Sequence, residues 1–390
     1  MIAPKFSLDF TTGIPDPSLD VTRAGVATRV NDVGRIESVA ADTQRIDYST
    51  GSAKLLVEES RTNIILQSAF ASGWTFNAAG SFGATTRQAP DLSTAQVLSD
   101  NLTTASGQVF QLVPFVSGTV YTFSFYIKAV GRTLGLVQSF TQIGSFTFDL
   151  SGSGSVGTPS GVFTNATITP SVDGWFRITA NLTATATGSG NLGFSTNSSA
   201  YTGNAFALWG AQLEVGATVS SYIPTEASAV TRNADDILID STVFNSFWQP
   251  NKGGVSVQAQ PRTVVGTRPL VQFDDGTADN IIALRGVNAD PFLYVRDAGV
   301  DQVNIDAGTI AVNTDYSMTA WWATNDCKAR LNSGAVVTDT TATIPTVTQM
   351  RIGSDGTNYL NGHLASISYY DAFSGQIYTR RKNKVIFSVI

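Results

Sequence analysis

Apolar and polar residues alternate with a period of two along much of this chain, the spacing of half-buried strands. In "YTFSFYIKA", Tyr121, Phe123, Phe125, Ile127 and Ala129 fall on one face and Thr122, Ser124 and Lys128 on the other. "FRITANLTA" sets Phe176, Ile178, Ala180 and Leu182 against Arg177, Thr179, Asn181 and Thr183. The pattern returns in "VSVQAQ" from Val255, "YSMTAWW" from Tyr316 and "LASISYY" from Leu364. Turn-rich stretches such as "LSGSGSVGTPSG" separate these runs, and no fixed repeat is present. The fold class predicted is all-β: two antiparallel β-sandwiches of jelly-roll type, because a sheet with one apolar face must be covered. Helix is expected only as short pieces near 16–20 and 374–383.

Composition agrees with strands and places the boundaries. Of the 390 residues, 14% are charged and 35 are glycine, which suits a turn-rich β protein. The segment "GATVSSYIPTEASAVTRNADD" follows the apolar strand "FALWGAQLEV" and reads as a sandwich exit and linker. The predicted divisions are an N-terminal attachment block over 1–68, a jelly roll over 69–232, a second sandwich over 233–375 and a basic tail over 376–390. The first block, with Pro15 and Pro17 and brief pieces such as "GVATRV", is too poor in apolar residues to build a core alone and is expected to dock on something else.

Charge narrows the partners. A net charge of −6 argues against nucleic acid or anionic lipid held over a broad surface. Arg380, Arg381, Lys382 and Lys384 are the basic exception, read as a solvated end or a helix C-terminus. The single cysteine, Cys327, provides neither a disulfide within the chain nor a thiolate cluster for zinc. No run approaches the roughly 20 apolar residues of a membrane span, so no membrane insertion is expected. The Asn-x-Ser/Thr triplets at Asn101, Asn165, Asn181 and Asn197 read as chance in a Ser/Thr-rich chain.

"KLLVEESRTNIILQS" places Glu58, Glu59 and Arg61 between two apolar runs, and three other short elements precede it: Leu8-Asp9-Phe10, Thr22-Arg23-Ala24 with Ala27-Thr28, and Arg45-Ile46-Asp47-Tyr48. In this order and spacing they resemble the N-terminal block of bacteriophage tail-fibre and virion-fibre proteins. "LWGAQLEVGATVSSYIPTEASAVTRNAD" resembles the closing strand and exit of the carbohydrate-binding-module-like jelly roll in the same proteins. More weakly, "YSMTAWWATNDCKARLNSGAVV" and "RIGSDGTNYLNGHLASISYYDAF" are similar to strands of a laminin-G or concanavalin-like sandwich. Glu58, Glu59 and Arg61 are expected to form a structural corner where the first block turns into the jelly roll, since an Arg–carboxylate pair fixes geometry through its planar fork. The competing reading leaves these charges solvated.

Signatures of chemistry are sparse. The only histidine, His363, sits in "YLNGHLAS" and reads as a solvated or capped turn residue rather than a triad member, and no Gly-x-Ser-x-Gly elbow is present. Two carboxylates suffice for glycan hydrolysis, so counting does not exclude it. The glucan hydrolases with laminin-G-like folds carry a Glu-x-Asp-x-x-Glu strand; this chain lacks it, and Asp235, Asp236 and Asp240 read as the start of a domain. No nucleotide loop is present. Asp274, Asp275 and Asp279 in "FDDGTADN" offer the oxygen ligands Ca²⁺ prefers, although the spacing matches no EF-hand and a plain acidic turn competes. Apart from Ca²⁺, no cofactor is expected.

Binding is therefore the leading expectation. Trp74, Tyr201, Trp248 and Trp321 lie off the clean core positions and are the candidate platforms for pyranose faces, against the alternative that each is core or capping; Trp209 and Trp322 are assigned to cores. The resemblance implies a virion-surface protein made in the host bacterial cytoplasm, attached to other virion proteins through the N-terminal block, binding host surface polysaccharide or another receptor without catalysis, as a homo-oligomer and specifically a trimer. A purely structural capsid or baseplate role and a polysaccharide depolymerase remain the alternatives.

Overall fold

The computed structural model describes residues 3–83, 86–101, 105–197 and 202–371. Tyr201, the four basic residues of the tail and the helix expected at 374–383 lie outside them.

The protein is all-β, built of two antiparallel sandwiches. In the jelly roll, one seven-stranded sheet centres on Gly203–Val215, Val120–Ala129 and Phe176–Thr183. The other runs in the order Ser155–Val156, Gly144–Asp149, Leu134–Ser139, Gly188–Ser195, Gln108–Phe115, Thr75–Phe76, with Ser160–Gly161 also paired to Gly144–Asp149. Phe123, Phe125, Ile127, Ile178, Leu182 and Phe194 meet between the two, so the alternation seen in the sequence is core against surface.

The second sandwich is not confined to the C-terminal half. Its eight-stranded sheet takes Tyr316–Ala323, Lys252–Pro261 and Gly362–Tyr370 from that half, then continues through Lys54–Val57 and Ile46–Asp47, while Phe6–Asp9 pairs with Gly362–Tyr370 in the register Phe6 to Tyr369. Leu19–Thr22 likewise borders the facing seven-stranded sheet through Asp236–Ile239. The expected separate attachment block over 1–68 is thus corrected: its few apolar residues, Leu8, Phe10, Leu19, Ile46, Leu55 and Val57, share one core with Val255, Trp322 and Tyr369. Too poor to make a core, they complete one.

The jelly roll is consequently an insertion in the second sandwich. Its neck is a two-stranded ribbon, Arg61–Asn63 against Val230–Arg232. The hairpin of Ala27–Val30 and Ile36–Val39 reaches across to the outer face of the jelly roll, where Ile36 packs with Trp175, Trp209 and Tyr222.

Helix is scarce among the described residues. Ser241–Phe247 is α-helical, with Asp240 accepting from the amides of Thr242 and Val243. The helix expected at 16–20 does not form. Asp16 accepts from the Ser18 amide at 2.9 Å, a local turn that leads directly into the strand from Leu19.

Candidate ligand-binding face and buried junction

Of the four aromatic platforms expected from the sequence, the three among the described residues are not open surfaces. Trp74 is in the jelly-roll core, stacked on Phe70 at 4.2 Å with its indole N–H on the Gln67 carbonyl. Trp248 ends the short helix and packs against Phe244 and Phe273. Trp321 is on the outer face of the eight-stranded sheet as expected, but it is 7% exposed and lies against Gly254, where a Cβ would meet its ring at 2.8 Å. Trp209 and Trp322 are buried.

The three aspartates expected as Ca²⁺ ligands also diverge. Asp274 is buried and accepts from Gln272 Nε2 at 3.0 Å, the Gly276 amide at 2.8 Å and Arg351 Nε at 3.2 Å, which commits its oxygens to protein donors. Asp275 is half-buried and takes Thr277 and Asn280, whose hydrogen bonds hold its carboxyl below the usual range. Among the described residues no three His, Cys, Asp or Glu side chains gather as a metal site. Cys327 is buried, and desolvation pushes its thiol up to about 11.

An uncharged surface is found instead on the outer face of the second jelly-roll sheet. Val109, Val137 and Phe194 point into the core, so Phe110, Gln138 and Gly193, one residue along, point out. Pairing registers then line up Thr75, Phe110, Gly193, Gln138, Ser145 and Ser160 in one row across six strands. At about 4.8 Å per strand this row is roughly 24 Å long. Gly193 is required at its centre, because a Cβ there would stand 2.1 Å from the Val109 carbonyl and 2.7 Å from Phe110 Cβ.

Both ends of the row are hollow. One end opens into a depression of about 310 Å³ lined by Gln138, Phe140, Ile143, Ser145 and Ser160, the other into one of about 400 Å³ lined by Leu66, Gln67, Thr75, Gln111 and Leu112. Leu112 and Ile143 are 63% and 76% exposed, so apolar surface lies open between the amides and hydroxyls. Asp149 is the sole ionisable residue in the strands of this sheet. Sequence reasoning missed the face because Gln108–Phe115 is apolar on both sides, Phe110 and Leu112 outward and Val109 and Val113 inward, which erases the alternation.

Beneath the neck lies a dense group of buried charges. Glu58 accepts from Arg45 Nη1 at 2.8 Å, Arg262 Nη1 at 2.8 Å, the Ser221 amide at 2.8 Å and Ser221 Oγ at 2.7 Å, with Arg232 at 3.6 Å. Asp235 accepts from Arg23 Nη1 at 2.9 Å, from Arg45 and from the Glu58 amide at 2.9 Å. Burial alone would raise the Glu58 carboxyl, but Arg232, Arg45 and Arg262 hold it well below its ordinary range. The expected corner therefore divides in two: Glu58 is the buried centre of a junction, while Arg61 pairs with the partly exposed Glu59.

His363 borders this group and is not the turn residue expected. It is 1% exposed on the strand Gly362–Tyr370, with Nε2 at 2.9 Å from Asp47 Oδ1. Burial, then Arg262, push its pKa down, so the ring is neutral and donates from Nε2 to the carboxylate. Ser49 Oγ stands 3.5 Å from the same nitrogen and Nδ1 has no partner. A triad needs serine and aspartate on opposite ring nitrogens, so this trio cannot relay a proton.

No described protein family and no curated protein matches the chain. Among solved structures, the CBM40 of the Ruminococcus gnavus IT-sialidase, bound to α2,3-sialyllactose, overlays 32% of this chain and 78% of its own at 15% identity with a TM-score of 0.28. Domains LG4-5 of the mouse laminin α1 chain overlay 75% of this chain and 89% of their own at 9% identity with a TM-score of 0.24. Both overlays are loose.

Proposed function

We propose that this chain is a non-enzymatic binding protein of a bacteriophage virion, a fibre or spike component that holds host surface glycan on the outer face of its jelly roll. The observation that carries the reading is the row from Thr75 to Ser160. It offers an aromatic ring, exposed aliphatic surface and amide and hydroxyl groups over a continuous track with almost no charge, which matches the apolar C–H faces and hydroxyl rims of sugars. The resemblance of the first 68 residues supports the virion setting at the particle surface. Several copies per particle, as a homotrimer, would turn weak sites into firm attachment.

The same face argues against depolymerisation. A glycosidase flanks the scissile bond with two carboxyl groups, and Asp149 has no acidic companion in this sheet. The test is binding of the purified chain to a panel of bacterial surface polysaccharides while new reducing ends are assayed. Binding without cleavage, lost at least tenfold in Phe110→Ala and Gln138→Ala proteins of unchanged melting temperature, supports the reading. Failure to bind any member, or binding unmoved by both substitutions, rejects this face and leaves a structural role in the particle.

A further inference from the structure

We propose a second ligand site, separate from the jelly roll, in which Arg285 on the outer face of the second sandwich takes the carboxylate of an acidic sugar. Ile282 and Leu284 point into the core from the strand Ile281–Val287, so Ala283 and Arg285 point out. On the next strand Tyr294 pairs with Ala283, and beyond it Asn304 pairs with Tyr294. Cζ of Arg285 stands 3.7 Å from the centroid of the Tyr294 ring, so the guanidinium is stacked on the aromatic face. The ring is itself held, its hydroxyl donating to Asp301 at 2.6 Å.

What sets Arg285 apart is the lack of a counter-charge. On the same face Arg296 pairs with Asp301 at 3.4 Å, and Arg351 pairs with Asp236 at 3.4 Å and Asp274 at 3.2 Å. No carboxylate among the described residues pairs with Arg285, and its Nε is buried without a hydrogen-bond partner. Asp306 lies two strands away, opposite Phe292, and accepts from the Gly308 amide.

A stacked guanidinium keeps its donor edge free, and that planar fork fits a carboxylate through two parallel hydrogen bonds. Stacking also fixes the group in advance, so little side-chain freedom is lost when the anion arrives. Asn304 is exposed beside the ring and supplies an amide for a sugar hydroxyl. A net charge of −6 disfavours a densely charged polyanion at long range, which favours carboxylates spaced singly along a polysaccharide.

The test titrates the full chain with a hyaluronan hexasaccharide, which carries one carboxylate per disaccharide, and with its methyl ester, using wild type and the variants Arg285→Gln, Arg285→Lys and Phe110→Ala. The proposal expects the acid form to bind, with affinity falling at least tenfold in Arg285→Gln, only partly restored in Arg285→Lys, unchanged in Phe110→Ala and weakened by added salt. Equal affinity of Arg285→Gln, equal affinity for the ester, loss in Phe110→Ala in place of Arg285→Gln, or no binding of the acid form by wild type would each overturn it. Because Phe110 and Arg285 are on different sandwiches, failure here leaves the jelly-roll reading standing, and the reverse holds.

Discussion

The Glu58 carboxylate receives both the backbone amide and the hydroxyl of Ser221, 163 residues further along the chain, at 2.8 and 2.7 Å. Glu58 closes a strand of the second sandwich and Ser221 follows the last strand of the jelly roll, so this contact joins the two bodies. Glu58→Gln and Arg45→Met each leave an uncompensated buried charge, which costs about 3 to 5 kcal/mol. Arg61→Ala removes a partly exposed pair with Glu59 and is expected to cost about 1 kcal/mol or less from that pair. Urea unfolding of the three variants checks the order, and an Arg61→Ala loss equal to that of Glu58→Gln would contradict it.

Excision of the jelly roll provides a topological test. Thr62 and Thr231 face each other in the antiparallel neck, so a short Asn-Gly turn can join them. The remaining chain keeps every strand of the second sandwich and is expected to give a cooperative melt with a β-sheet circular dichroism spectrum. Deletion of residues 1–57 removes four of those strands and is expected to leave an aggregating chain.

The stability of the junction should depend on pH through His363. Its folded pKa lies below the ordinary value of 6.5, so the unfolded chain binds the proton first. Stability contributed by the neutral ring is complete above about pH 6.5 and falls as the pH drops below it, by at most about 1.4 kcal/mol per pH unit. Wild type and His363→Gln compared by chemical denaturation between neutral and mildly acid pH should show a shallower fall in the variant. Parallel curves would refute the assignment.

Gly193→Ala tests the ligand track by steric means. The new methyl would meet the Val109 carbonyl and Phe110, and overpacking of this kind costs about 1 to 3 kcal/mol. Glycan affinity should fall with it, whereas Gly118→Ala, strained by a φ of +79° at a turn outside the track, should lose stability and leave affinity unchanged.

Much of the fold was legible where pairing is local or alternation is clean, as in Val120–Ala129 and Phe176–Thr183. The strands before residue 58 were not, because Phe6–Asp9 finds its partner more than 350 residues away and Ile46–Asp47 is only two residues long. Buried arginine is equally hidden from sequence rules that place charge at the surface, yet Arg23 and Arg45 are each 1% exposed. The short elements of the N-terminal stretch acquire a physical meaning here. Arg23, Arg45 and Glu58 build the junction, Asp47 holds His363, and Asn63 clamps the Ala211 and Ile223 carbonyls of the jelly roll at 3.1 and 2.9 Å. The Arg285 platform left no such trace, since a lone arginine in a strand has no pattern to betray it.

The two-stranded neck also decides how the molecule bears a pull. Tension between the two sandwiches is carried by two chain segments side by side, each anchored within a few residues by a buried charge, Glu58 on one and Arg232 on the other, with the hairpin of Ala27–Val30 and Ile36–Val39 as a further contact. In this geometry the buried ion pairs and the hairpin lie beside the neck strands, so a pull along the neck loads the cluster of charges together with the strands.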